Sequence, residues 1–368
     1  MPGTSLRAAL AATAISLAPI ASTACTFITL EGADGTVVTA RTMEWGSFDL
    51  KPRMTFVKAG QELTAMDMPD GKPGATWTSK YDFLGVSLLE QPFFGDGMNS
   101  EGLNVSLLYL PGFAEYEDYD PSNAERSVAP PDVTGFLLSQ FATVDEVRAA
   151  LADFHVVPVV TPELGIAAPV HFSITDPSGA QIIIEWVNGV LNVHDETLGV
   201  MTNSPPYDWH VANARNYINL RAVDWPAVSA NGLDLAPIGY GTGMIGLPGD
   251  FTPPSRFIRA LAWTQTSRPT DGGVDTIHEA MRILANFQLP MEASGEQANP
   301  AELETLKYGG TQYTVSYDLR NLTAYFQTSD NPMVRSVSLP DFDFGAIDAP
   351  LSIPMRVPDT PFAQDVTP

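Results

Sequence analysis

Cysteine occurs once in the 368-residue chain, at Cys25, so the side chain best suited to nucleophilic attack has no partner for an internal disulfide. It directly follows Ser22-Thr23-Ala24, which closes an apolar run from Ala8 to Ala21 preceded by Arg7. That is the pattern of a secretory leader, residues 1–24, cut after Ala24. Cutting there makes Cys25 the first residue, with a thiol and a free α-amine on one carbon. An α-amine has a reference pKa of about 7.7–8.0 and can take a proton at neutral pH. Nucleophile and general base would then be the same residue.

Such a thiol needs a cation to favour the thiolate, an acceptor to orient the amine, and donors where a tetrahedral oxyanion develops. The segment Thr39-Ala40-Arg41-Thr42-Met43-Glu44-Trp45 supplies Arg41 and Glu44, and a tight hairpin would bring it back beside Cys25. Spacing alone favours an exposed ion pair for these two residues. For Cys25 the rival readings are a lipid anchor and an inert small hydrophobe. An anchor needs a large aliphatic residue three positions earlier, where the chain has Ser22. The residues after it, Thr26-Phe27-Ile28-Thr29-Leu30, alternate like a strand and do not form a polar tether.

Other motifs carry less. Gly241-Thr242-Gly243-Met244-Ile245-Gly246 matches a dinucleotide fingerprint but runs into Leu247-Pro248-Gly249, so it reads as a tight loop. The histidines, His155, His171, His194, His210 and His278, lack metal-ligand spacing, and there is no Gly-x-Ser-x-Gly elbow. No metal or organic cofactor is expected.

The elements that would hold these residues alternate in blocks. Strand patterns run from Cys25 to Leu30, Thr36 to Ala40, Met54 to Val57 and Leu103 to Leu110, with a turn at Ala33-Asp34-Gly35. Helical spacing covers Asp132 to Phe154, with a capping box from Thr143 to Glu146. A second hairpin follows, Val170 to Thr175 and Gln181 to Trp186. Helices come next at Trp209 to Leu220, Pro254 to Trp263 and Val274 to Phe287. Strands return at Thr311 to Tyr317, Leu322 to Thr328 and Met333 to Leu339. Antiparallel strands with grouped helices argue for an α+β fold. Residues 25–349 read as one domain, and Pro350 to Pro368 as an extended peripheral tail.

A content of 44% hydrophobic residues supports a sizeable core. A formal charge of −24 repels phosphate backbones and argues against nucleic-acid binding. The leader's apolar run is too short to span a membrane. The expected location is therefore periplasmic or secreted.

Taken together, Cys25-Thr26, Arg41 to Trp45, Asp96-Gly97-Met98-Asn99, Thr202-Asn203-Ser204-Pro205, Tyr207-Asp208-Trp209-His210, Gly241 to Asp250, Ser255-Arg256-Phe257 and Thr311-Gln312-Tyr313-Thr314 resemble the choloylglycine hydrolases. These are bile salt hydrolases and penicillin V acylases of the N-terminal nucleophile type. The resemblance implies a four-layer αββα sandwich and hydrolysis of a small N-acyl amide. It implies Cys25 as nucleophile, Arg41 and Arg256 as cations near its sulfur, and the Asn203 amide with the Tyr109 backbone N–H as the oxyanion hole. Trp45 and Tyr109 would border the acyl group. Most members have Asp where this chain has Glu44, which keeps the carboxylate with one more methylene. An aromatic at Tyr109 is more like the penicillin V acylase branch. The segment from Asn213 to Pro237 resembles an extension through which relatives form homotetramers.

Overall fold

The computed structural model describes residues 25–46, 48–290 and 310–357, with 363 and 366. The expected leader and most of the end of the tail lie outside the described residues. Two antiparallel sheets face each other. The first begins with β1 (Thr26–Glu31) and β2 (Val37–Trp45). Their turn is closed by Asp34, whose Oδ1 accepts from the Thr36 N–H at 2.8 Å, and by Gly35 at φ +79°, a left-handed conformation suited to glycine. Register pairs Thr26 with Thr42 and Phe27 with Arg41.

The second sheet starts at β3 (Arg53–Val57) and continues through β4 (Phe83–Leu88), β5 (Phe93–Asn99) and β6 (Asn104–Tyr109). Helices α1 (Val133–Gln140) and α2 (Val144–Ala150) intervene before β7 (Val170–Thr175), β8 (Gln181–Val187) and β9 (Val190–His194). The short β10 (Val200–Met201) pairs with β1 in the first sheet. Then come α3 (Tyr207–Ala214), α4 (Pro253–Thr266), α5 (Gly273–Leu284), β11 (Gly310–Asp318), β12 (Thr323–Thr328), β13 (Asn331–Ser338) and β14 (Leu351–Pro354).

Sheet order is β10-β1-β2-β11-β12-β13 in one sheet and β9-β8-β7-β6-β5-β4-β3-β14 in the other. Helices α4 and α5 cover the first, while α1 covers β4, β5 and β6 of the second. The layers run αββα, the arrangement implied by the resemblance. Strands β2 and β11 are buried along their whole length, because each has a strand on both sides and a layer on both faces.

Three local expectations change. The tail begins with β14, which pairs with β3 (Leu351 with Phe56), so its first residues complete an edge of the second sheet. The helix expected to reach Leu220 ends at Ala214 and passes into a 3-10 turn over Arg215–Tyr217. In the capping box, Thr143 Oγ1 accepts from the Glu146 N–H, but the Glu146 carboxylate reaches back to the Ala142 N–H, one residue beyond the usual partner. The loop reading at Gly241 holds: a 3-10 turn, Thr242–Met244, is pinned by Asp224 Oδ1, which accepts from the N–H groups of Gly241 and Thr242.

Helix α1 lies so close to β5 that a Cβ on Gly97 would meet Leu138 Cδ1 at 2.6 Å and the Leu84 carbonyl at 2.7 Å. Gly97→Ala should therefore destabilise the fold by about 1–3 kcal/mol through overpacking. Urea unfolding of the variant against the parent measures it.

Candidate active site

One step beyond the Thr26–Thr42 pair, Cys25 lies beside Met43, Sγ to Sδ 3.8 Å, and is 2% exposed. The strand alternation of β2 sends Arg41, Met43 and Trp45 toward the second sheet and Thr42 and Glu44 toward the helices. Arg41 is fully buried and solvated by protein. Its Nη1 donates to the carbonyls of Gly95 (2.9 Å) and Leu107 (2.6 Å), Nε donates to the Thr42 carbonyl, and Asp96 lies 3.5 Å away. Nη2 reaches the Met43 sulfur at 3.4 Å, so one thioether touches both the thiol and the guanidinium. Gly95 is the extra residue of a bulge, since Val86 pairs with Asp96 and Ser87 with Phe94. A bulged residue stands outside the ladder, which frees its carbonyl for Arg41. Asp96 accepts in turn from the hydroxyls of Tyr313 (2.7 Å) and Tyr317 (2.5 Å).

Glu44 is fully buried on the opposite face of β2. Its oxygens accept from Thr311 Oγ1 at 2.6 Å and Thr42 Oγ1 at 3.1 Å. A second bulge sets this up, because Thr311 pairs with Glu44 and Tyr313 with Met43, leaving Gln312 between them. Burial pushes the Glu44 carboxyl up to about 7, against those hydrogen bonds and the pull of Arg256 and Arg41. The exposed ion pair favoured by spacing does not form: residues three apart on a strand face opposite sides, and both of these are buried.

Arg256, on α4, is also fully buried. It donates to the carbonyls of Phe251 (2.9 Å) and Cys25, to Thr26 Oγ1 (2.9 Å) and to Asn203 Oδ1 (2.8 Å). Burial brings its pKa down to about 10. With Oδ1 facing that donor, the Asn203 amide nitrogen turns to the Tyr109 carbonyl at 2.8 Å. Leu110 bonds to Pro169, the residue before β7, through its N–H, so Tyr109 turns its carbonyl the other way, to the Asn203 amide. A neutral His210, lowered to about 4 by burial, donates from Nε2 to the Asn203 carbonyl.

Beside Cys25 opens a cavity of about 80 Å³ whose walls include Trp45, Leu88, Leu107, Tyr109, Leu164 and Val170. Trp45 and Tyr109 meet edge to face at 5.3 Å. Burial raises the Cys25 thiol above its ordinary value, outweighing Arg41, the Glu44 backbone N–H and Arg256, which all favour the thiolate. The arrangement is a neutral thiol at an apolar cavity, with cations and amide donors around it.

A family model for linear amide C–N hydrolases of the choloylglycine hydrolase family matches residues 25–350. The chain belongs to that family. It is a hydrolase of carbon–nitrogen bonds in linear amides. It is 30% identical over 317 residues to a bile salt hydrolase/transferase from Clostridium perfringens, covering 86% of this chain and 92% of that protein. It is 26% identical to a penicillin V acylase from Pectobacterium atrosepticum over 91% of this chain and 86% of that one. A mutant conjugated bile acid hydrolase from Clostridium perfringens superposes with a TM-score of 0.73 at 28% identity, over 87% of this chain and 93% of the other.

For a choloylglycine hydrolase, the residues singled out from sequence, Cys25, Arg41, Glu44, Trp45, Tyr109, Asn203 and Arg256, fall in one neighbourhood. Sequence reasoning assigned no role to Asp96, Met43 or Thr311. Asp96 and Thr311 stood in motifs, but only the two bulges bring them to Arg41 and Glu44.

The raised Glu44 carboxyl has a stability consequence. Its folded pKa, about 7, exceeds the ordinary 4.5, so its contribution is complete below about 4.5 and lost as pH rises through about 7. Glu44→Gln should flatten the fall in stability between those values, as read by urea unfolding at pH 5 and pH 8.

Proposed function

We propose that this choloylglycine hydrolase is exported and processed after Ala24, and that it cleaves a small N-acyl amide through an acyl-Cys25 intermediate. The observation that carries this reading is the buried neutral thiol of Cys25 at the foot of an apolar cavity. A neutral thiol needs a base within its own reach, and the α-amine freed by processing is that base. The amine takes the thiol proton, Sγ attacks the carbonyl carbon, and the Asn203 amide and Tyr109 N–H receive the oxyanion. The amine then protonates the leaving nitrogen and later activates the water that releases the acyl group. Arg41 and Arg256 favour the thiolate as it forms, and Glu44 orients the amine.

The cavity's apolar lining suits an apolar or aromatic acyl group, such as those of penicillin V, a conjugated bile acid or an N-acyl homoserine lactone. Among the described residues no helix is long and apolar enough to cross a membrane. A buried thiol facing this cavity is also a poor site for a lipid anchor. Cys25→Ala should abolish hydrolysis of a panel of these amides and leave the circular dichroism spectrum unchanged. Intact mass of the exported parent should give Cys25 as the first residue with an unmodified amine. Turnover surviving in the variant would overturn the reading, as would an acylated N-terminus.

For assembly we propose a homotetramer built through residues 213–237. This segment forms a hairpin, Val228–Ala230 with Leu233–Leu235, and exposes Ile218, Val223, Val228, Leu233 and Leu235. Light scattering should give a four-chain mass for the parent and a smaller one for Leu233→Asp combined with Leu235→Asp.

A further inference from the structure

Behind the Asn203 segment lies a charged cluster that the mechanism above does not use. His171 on β7 is 1% exposed, with Nδ1 2.7 Å from Glu185 Oε1 and Nε2 2.8 Å from the Thr202 carbonyl. Each ring nitrogen of His171 thus faces an acceptor, a carboxylate on one side and a carbonyl on the other. Glu185 on β8 also accepts from the Tyr207 N–H at 3.1 and 3.0 Å and faces His194 Nε2 at 3.2 Å. Burial opposes its charge, yet these partners bring it down to about 2, so it stays a carboxylate. The cluster joins β7, β8, β9, the start of α3 and the residue preceding Asn203.

Neither His171 nor Glu185 lines the cavity beside Cys25. A buried pair built on a charge is a poor source of stability compared with apolar packing, but it fixes one geometry. What it fixes here is the Thr202 carbonyl. Asn203 itself is tied to His210 through its carbonyl and to Arg256 and Tyr109 through its side chain, while the residue before it is held by His171.

We propose that the His171–Glu185 pair positions the Asn203 amide for the oxyanion, and so acts on catalysis through Asn203 and not through the thiol. This rests on the reading of Asn203 as an oxyanion donor, and the test separates the two. Full-length processed protein would be reacted with p-nitrophenyl acetate and, separately, with iodoacetamide. The ester forms the Sγ–acyl bond and expels p-nitrophenolate while the thiol proton passes to the amine, through a tetrahedral oxyanion. Iodoacetamide alkylates the same sulfur by displacing iodide, without one.

Glu185→Gln, which keeps the size of the side chain and removes its charge, and His171→Gln should slow acylation by about 10- to 100-fold, the scale of an ångström's misplacement. Their alkylation rates should stay within about twofold of the parent. Added to Asn203→Ala, either substitution should slow acylation no further, since residues acting through one group are not additive. Unchanged acylation in both variants overturns the inference, as does an equal loss of alkylation or additivity with Asn203→Ala. If Asn203→Ala itself acylates at the parental rate, the oxyanion reading beneath it falls instead. His171→Ala, should it fold by circular dichroism, repeats the comparison with the ring removed.

Discussion

A positive charge taken out of water must be solvated by the protein, and Arg41 and Arg256 make that demand twice around one thiol. Much of the local architecture answers it. Gly95 can offer a carbonyl to Arg41 because a bulge takes it out of the ladder, and Leu107 offers another from beyond the last β5–β6 pair, Asp96 with Ser106. Asp96 supplies the countercharge and is itself satisfied by two tyrosine hydroxyls from β11. Arg256 takes the carbonyls of Phe251 and Cys25, so the cation also holds the backbone of the nucleophile. Removing one carbonyl from either set would leave a buried donor unmet, at about 1–3 kcal/mol.

The two guanidiniums do not by themselves make a thiolate. Desolvation of the sulfur exceeds their pull, and the thiol rests protonated. A resting thiol is compatible with rapid attack only if the proton acceptor is adjacent and itself titrates near neutrality. The α-amine proposed as that base would meet the requirement, and Glu44, raised to about 7 in the same dry surroundings, is the carboxyl proposed to orient it. The hydroxyls of Thr42 and Thr311 fix both carboxylate oxygens of Glu44.

The sequence singled out Cys25 because position, not context, marks it: a sole cysteine directly after a leader-like apolar segment. The hairpin that returns Arg41 and Glu44 was legible from the turn at Ala33-Asp34-Gly35, and most strands from their alternation. Partners across the sheets were not. Arg41 meets Asp96 and Leu107 only through the stacking of the two sheets, and the bulges at Gly95 and Gln312 leave no composition signal. β14 was missed because proline-rich surroundings read as a tail, yet an edge strand tolerates proline where its N–H faces outward. His171 read as one of five histidines without ligand spacing, because its partner Glu185 lies across the β7–β8 hairpin and the Thr202 carbonyl it meets lies just past the end of β10.

The error over the exposed ion pair explains the design. Arg41 and Glu44 stand three residues apart, a spacing that would join them on a helix but divides them on a strand. On β2 the cation goes to the interior between the sheets, where the thiol and the cavity lie, and the carboxyl goes to the helix side, beneath the start of β1. Had both faced the same layer, the salt bridge would have formed and neutralised the field around the sulfur. One strand thus places a cation on the side of the sulfur and a buried carboxyl on the other, and the sheet itself keeps the two apart.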